Sequence, residues 1–495
     1  MTLTSLWQDR HPATTTGPPT VGGDWDVVVV GGGLTGLTTA LLLARAGKRV
    51  VVVEARHLGF GTTGRSTAKV SVLQGTRLST IATRQSPEVV RKYVQANLEG
   101  QAWLRRFCEV HAVAFQARTA YTYAHGVSGV DSIRREQSAA TDAGLPVTWV
   151  ERPSLPFPTA GAIALADQFQ VDPMELLAAL AAEAVGHGAT IVEGARVQKV
   201  TGRGPVRVVT EHGEARAGQV VVATNMPILD RGGFFARAEP SRSYGLAFRT
   251  ATPAVEGMWL SADSPSRSLR DVPSADGDLL LVGGEGHTTG RAGSTRARLD
   301  ALRAWTADHF PGVEETHAWS AQDYVPHHGV PYVGPLLPGR EEILVAGGYA
   351  KWGMTNAVAA SLALSGRMLD GHMEWATALE PWHAPELRGL LEAARINGEV
   401  GVAMAAGWLR PLLRSGPRVP PEGEGQVRMD RVGSPTAVAR VGGGARPLSA
   451  VCTHLGGVVS WNDAERSWDC PLHGSRFDGD GEVLEGPAVC GLTRR

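Results

Sequence analysis

Residues near the C-terminal end form the chain's most specific chemical pattern. Cys452-Thr453-His454 is followed, after fifteen intervening residues, by Cys470-Pro471-Leu472-His473. Thiolates and imidazoles are metal ligands, and here each stretch contributes one of each. That distribution suits a [2Fe–2S] centre in which the sulfurs hold one iron and the nitrogens the other. Tetrahedral zinc also accepts two Cys and two His, although zinc fingers usually keep their pairs as C-x-x-C and H-x-H. Gly and Pro beside the four residues would shape two matching turns around either metal.

A second constellation lies near the start. Gly31-Gly32-Gly33-Leu34-Thr35-Gly36 follows Val27 to Val30 and opens a helical pattern, Leu37 to Ala46. Gly31 permits a tight turn, Gly33 lets backbone approach a pyrophosphate, and Gly36 lets helix and strand touch. The first amides of the helix would face the phosphates. Arg49 to Val53 reads as the next strand, and Glu54 stands 18 residues after Gly36, where a carboxylate accepts from ribose hydroxyls. The acid favours FAD or NAD over NADP. Gly283-Gly284-Glu285-Gly286 also follows a strand but lacks the helix and the acid, so it reads as a turn at a strand end. A single complete fingerprint leans towards FAD, because a flavoprotein needs no second nucleotide.

The elements that must position these residues are visible in outline. Asp172-Pro173 reads as a cap and first position for a helix over Met174 to Val185. Val206–Thr210, Gln219–Ala223, Leu279–Val282 and Ile343–Ala346 read as strands, and Thr355–Leu369 as a helix rich in small residues. Gly416 to Gly425 is a Pro/Gly-rich linker, followed by short strands. With 495 residues, 43% hydrophobic and 20% charged, the chain has material for about three globular domains. A net charge of -1 gives no bulk attraction to nucleic acid or acidic membranes. A total of 4 Cys excludes a disulfide scaffold. Residues 1–23 carry no secretory pattern, and the longest apolar run, Val400 to Leu409, is too short to span a bilayer. A cytoplasmic protein without a transmembrane segment is expected.

Three further segments carry a family resemblance: Gly61-Thr62-Thr63-Gly64-Arg65-Ser66-Thr67-Ala68, Val220-Val221-Val222-Ala223-Thr224-Asn225, and Gly347-Gly348-Tyr349-Ala350-Lys351-Trp352-Gly353-Met354-Thr355. Over residues 24–385 the chain resembles the FAD-dependent oxidoreductases of the D-amino-acid oxidase and glycine/sarcosine oxidase superfamily. The resemblance implies an α/β Rossmann-like FAD domain with an inserted α+β antiparallel-sheet substrate domain, the insertions falling at about 75–170 and 225–330. It implies that Gly31, Gly33, Leu34, Thr35, Gly36, Glu54, Thr62, Thr63, Gly64, Thr224, Gly347, Gly348, Trp352, Gly353, Met354 and Thr355 bind FAD. Relatives with covalent flavin use a His where this chain has Arg65, or a Cys near the late turn where it has none. The expected FAD is therefore non-covalent. Amino-acid-oxidising relatives often hold the substrate carboxylate with an Arg; Asp323 stands at that position here, and His328 where an Asp is usual. A simple α-amino acid substrate is then not expected, and Asp323, His327 and His328 are candidate catalytic residues.

Residues 426–495, after a helical segment and linker over 386–425, resemble an all-β Rieske domain. Cys452, His454, Cys470 and His473 are its implied cluster ligands. High-potential relatives carry a disulfide where this chain has Gly457 and Leu472. Ser475 supplies one donor to a bridging sulfide, but Phe477 replaces the Tyr that would supply another, so an intermediate potential is expected. Cys108 reads as a buried hydrophobe and Cys490 as a strand residue. Two-electron FAD beside a one-electron cluster suggests oxidation of a small amine or N-alkyl substrate and single-electron transfer to an external acceptor protein. Two alternatives stay open: a donor protein feeding the flavin through the cluster, or a cluster that acts as a redox sensor. No D-x-x-H-x-x-x-x-H string marks a Rieske oxygenase.

Overall fold

A computed structural model describes residues 3–13, 19–250, 255–274, 277–383, 389–413, 419–430 and 433–495. Its first sheet grows from the valine runs. Asp24–Val30 pairs in parallel with Val50–Val53, Val27 opposite Val50, and on its other side with Gly213–Asn225. The order across the sheet is Tyr332–Leu337, Arg340–Gly347, Gly213–Asn225, Asp24–Val30, Val50–Val53, Thr190–Val192. Central strands covered on both faces read as continuous apolar runs, as these do. Helix Leu34–Arg45 crosses between the first two strands. Gly36 must be glycine there, since a Cβ would sit 1.9 Å from the carbonyl oxygen of Gly31. Helix Gly353–Met368, built from small residues, lies against it and against Pro87–Val110, where a Cβ at Gly100 would come 2.5 Å from Thr355 O.

A second, 9-stranded and mostly antiparallel sheet is made by strands from Lys69–Val70 to Gly161–Val171 and from Ala238–Arg249 to Glu314–Pro326. The architecture is thus the expected α/β fold with an inserted antiparallel sheet. One local expectation fails. The run 283–286 is not a turn at a strand end but lies inside strand Leu279–Thr288. The strand bulges there, with Glu285 at φ 55 and a register shift opposite Arg242/Tyr244. Glycine suits a bulge because neighbouring backbone comes close; a Cβ at Gly284 would lie 2.8 Å from Ser266 O.

Helix Leu390–Leu413 follows, turning Val400, Ala403 and Met404 towards the C-terminal core. Part of the expected linker, residues 414–418, lies outside the described residues. The C-terminal part is all β, a 3-stranded sheet beside a 4-stranded one around Leu448, Trp468 and Phe477. None of the described helices is long and apolar enough to cross a membrane.

Buried charge fastens this small domain to the large one. Arg242, on the second sheet, is completely enclosed and donates to Glu465 (2.6 Å) and Glu485 (3.1 Å) of the C-terminal part. Arg476 bridges the same two acids and Asp469. Asp463 accepts from the first amides of helix Thr295–His309, at 2.8 Å from Thr295 N and 3.0 Å from Arg296 N, an N-terminal cap supplied by another domain. Burial alone would raise the Glu485 carboxyl, but Arg242 and Arg476 hold it below its usual 4.5. Its stabilising contribution is therefore present above that value and is lost as acid protonates it below. Removing one partner of a buried ion network costs about 3–5 kcal/mol. Arg242→Ala should split scanning calorimetry of the holoprotein into separate transitions for the two parts, the C-terminal one melting earlier; an unchanged profile would show that the network does not fasten them.

Candidate functional site

A deep cavity opens at the carboxyl ends of the parallel strands. Gly31, Gly33, Leu34, Thr35, Glu54, Thr62, Thr63, Thr224, Gly353 and Met354 all line it, as does Asp323. Gly31 has φ 110, and a Cβ there would lie 2.7 Å from Ala223 O. The N-cap of helix Leu34–Arg45 is Gly33, which has no side chain to offer, and among the described residues Leu34 N alone of the first amides is held by a side chain, that of Thr63. Bare amides with a partial positive charge suit a pyrophosphate. Glu54 accepts from Gly32 N (2.7 Å) and Arg56 N (2.8 Å). Burial pushes its carboxyl up, against the pull of those amides. Thr63 accepts from Leu34 N at 3.2 Å, tying the second segment to the helix start. These residues fit an FAD.

The other residues expected at the flavin are not among those that line the cavity. Gly36 and Gly64 serve close packing; a Cβ at Gly64 would meet Gly59 O at 2.2 Å. Gly347 passes equally close to Asn225 O, and Gly348 has φ 75. Thr355 donates to Asn97 (2.6 Å) inside a buried polar cluster with Gln74. Trp352 is the N-cap of its helix.

Asp323 accepts from Lys351 N (2.6 Å) and Tyr324 N (2.7 Å), yet burial pushes its carboxyl up to about 6. His327 and His328 do not line the cavity. His327 Nδ1 lies 2.8 Å from Arg237 O and 3.0 Å from Tyr332 Oη. His328 is enclosed, stacked on Tyr332 at 4.6 Å and held neutral by burial. The wall also holds Gln322, Tyr324, Tyr349 and Lys351, none of which sequence reasoning singled out. Lys351 sits within the quoted flavin-turn segment, which could have pointed to it.

The metal-ligand loops are copies of one design. Cys452 N donates to Gly457 O (2.8 Å) and Gly456 N to Cys452 O (3.1 Å). Likewise Cys470 N donates to Ser475 O (2.8 Å) and Gly474 N to Cys470 O (3.2 Å). Gly456 (φ 74) and Gly474 (φ 80) take the left-handed conformation such loops need. The loops bring the Cys452 and Cys470 thiols within hydrogen-bond reach of each other and set the His454 and His473 rings edge to face at 5.1 Å. Nδ1 of His473 is buried without a partner, an orphan that a metal bond would satisfy. Among the described residues no three His, Cys, Asp or Glu gather on a single ion. The donors stand as a sulfur pair and a nitrogen pair, which is what a two-iron centre asks for. Ser475 accepts from Ala488 N (3.0 Å) and its hydroxyl reaches Cys452. Where a disulfide would stand, Leu472 covers Gly457, whose Cβ would lie 2.6 Å from it. Of the other cysteines, Cys108 is buried and its thiol pushed up to about 12 by that burial. Cys490 lies in an exposed bend, not a strand.

The two sites share a wall. Leu484, Glu485, Gly486 and Val489, from the C-terminal domain, line the same cavity as Gly31 and Glu54. Tyr324 faces that cavity, and its Oη lies 3.2 Å from Gly486 O and 3.5 Å from His473 O. Gln322 Nε2 donates to Gly474 O at 2.8 Å. The imidazole edges are also covered from the large domain: His454 Nε2 is 2.7 Å from Asp230, and Phe235 stands edge-on to both rings.

Residues 26–367 match the family described as FAD dependent oxidoreductase, and residues 417–493 match the Rieske [2Fe-2S] domain. The chain is 31% identical over 471 residues to the Rieske 2Fe-2S iron-sulfur protein YhfW of Bacillus subtilis (strain 168), covering 94% of this chain and 92% of that one. It is 33% identical over 143 residues to the cytochrome b6-f complex iron-sulfur subunit of Synechococcus sp. (strain JA-2-3B'a(2-13)), covering 22% of this chain and 81% of the relative. In fold it is similar to glycine oxidase from Geobacillus kaustophilus, with a TM-score of 0.61 at 20% identity, covering 73% of this chain and 99% of that one.

Two substitutions should separate the sites. Cys470→Ser should abolish bound iron and its EPR signal while leaving the flavin content near wild type. Gly31→Val should do the reverse, weakening FAD at least about tenfold, or ~1.4 kcal/mol. Loss of both groups in either variant would contradict independent sites.

Proposed function

The chain belongs to the FAD dependent oxidoreductase family and carries a Rieske [2Fe-2S] domain, and on that premise we propose that it oxidises an amine or N-alkyl substrate at a C–N bond and delivers the electrons singly, by way of the Rieske domain, to an external acceptor. When bound, FAD supplies two-electron chemistry and the cluster a one-electron carrier. The protein's part is to hold both and to connect them.

The observation that carries this reading is the shared wall. Tyr324 borders the flavin cavity, and its hydroxyl touches C-terminal-domain backbone at Gly486 and, in the second cluster loop, at His473. Gln322 joins the same strand to Gly474. A sensor domain that only regulated a flavoprotein would need no such seat inside the cofactor cavity. The substrate class is supported by glycine oxidase and by L-proline dehydrogenase from P. horikoshii, which share the fold of the FAD-binding part. A cytoplasmic site of action is part of the proposal.

Anaerobic mixing with a panel of amines and N-alkyl amino compounds tests it. A substrate should bleach the flavin first, and the cluster's reduced EPR signal should then rise. Flavin bleaching with no later cluster reduction would overturn the relay. Cluster reduction only by an added donor protein, with the flavin following, would reverse its direction.

A further inference from the structure

One stretch of the flavin-cavity wall is held by a segment that does not itself reach the cavity. Phe60, Gly61, Thr62 and Thr63 line the cavity. Thr63 ties this stretch to the nucleotide helix at Leu34 N, and Thr62 donates to Gln322 O at 2.6 Å. Four carbonyls of the same stretch accept from three side chains near the start of the chain. Ser5 Oγ donates to Gly64 O (2.6 Å) and Trp7 Nε1 to Ser66 O (2.7 Å). Gln8 Nε2 donates to both Gly59 O and Phe60 O, at 3.0 Å each. None of residues 3–11 lines the cavity. Their donors instead satisfy backbone groups that a folded loop must pair with something.

The segment is anchored on either side of these donors. Thr4 forms an antiparallel bridge with Ala318 of the inserted sheet, and Asp9 lies 3.3 Å from His317 on the same strand. His11 Nε2 lies 3.1 Å from Asp172, the cap of helix Pro173–Gly186. That helix also meets the wall: a Cβ at Gly59 would lie 2.5 Å from Met174 Sδ. Between the anchors, Leu6 and Trp7 are buried in the large core. Helix Leu6–Arg10 has only 5 residues. A helix that short does not hold itself together in water, so its order comes from these contacts. Gly64 keeps the wall close beneath it, since a Cβ there would stand 3.1 Å from Gln8 Nε2.

We propose that residues 5–8 are a strap that sets how fast FAD leaves the protein. Ser5, Trp7 and Gln8 are positioning residues: they act through the wall that carries Thr62 and Thr63. A dinucleotide seated against residues 60–63 leaves as that wall gives way, and the wall gives way as the strap releases its carbonyls. The strap concerns cofactor retention alone and is independent of the substrate and of the direction of electron flow.

The test follows FAD release from the full-length protein loaded with FAD and cluster. Added phosphodiesterase destroys FAD once it is free, so release is irreversible and is read by flavin fluorescence. Gln8→Met removes two donors while keeping the length of the side chain. It should speed release about tenfold, the worth of two modest hydrogen bonds. Adding Ser5→Ala should speed it further. Leu6→Val is the counterpart, because it loosens the packing of the strap and leaves every donor in place. It should lower the melting temperature of the FAD-free protein without matching that acceleration. Cluster EPR verifies that each variant is folded. A Gln8→Met protein that keeps its cluster and melting temperature but takes up no FAD would be the expected result in its strongest form. Release from Gln8→Met at the wild-type rate would overturn the strap. So would equal acceleration by Leu6→Val and Gln8→Met, which would make the segment a part of the core and nothing more.

Discussion

The enclosed Arg242, which donates to Glu465, Glu485 and Ser320, is the interaction on which the rest depends. Charges so buried are tolerable only when every partner is in place, which gives the contact one geometry. It sets segment 484–489 against the nucleotide cavity and the cluster loops against Tyr324. A mobile cluster domain would need a weak, wet and polar seat. This one has a buried ion network, a helix cap supplied across the interface by Asp463, and Arg291 donating to Pro471 O at 2.9 Å in the second cluster loop. The two sites are therefore held in a standing arrangement, which the proposed electron exchange requires.

Each site is shaped by backbone more than by reactive side chains. Glycines at 31, 36, 64 and 347 allow carbonyls and strands to come within distances that a Cβ would forbid. The two cluster loops use the same pair of backbone hydrogen bonds and the same left-handed glycine. In such sites the redox chemistry belongs to the cofactors, and the protein contributes position, local charge and exclusion of water.

What could be read from the sequence follows from how local each feature is. The fingerprint with its flanking valine strands, the Asp172 cap and the Cys/His loops are each specified within a few residues, and each appears where its pattern places it. Features made by contacts between distant segments were not legible. Arg242 and Glu485 are 243 residues apart, and nothing near either marks it as a partner of the other. His327 and His328 look reactive as a pair, yet the strand before them turns them towards Arg237 and Tyr332, away from the cavity. Residues 283–286 looked like a chain reversal because glycine serves turns and bulges alike; only the neighbouring strand shows which.

The central claim is that the flavin and the cluster exchange electrons inside one rigid chain. Flash photoreduction of the flavin, with cluster reduction followed optically over a wide range of protein concentration, tests it directly. The account predicts a single first-order rate constant that does not change with concentration. A rate rising in proportion to protein concentration would mean that the electron travels between molecules, and would contradict it.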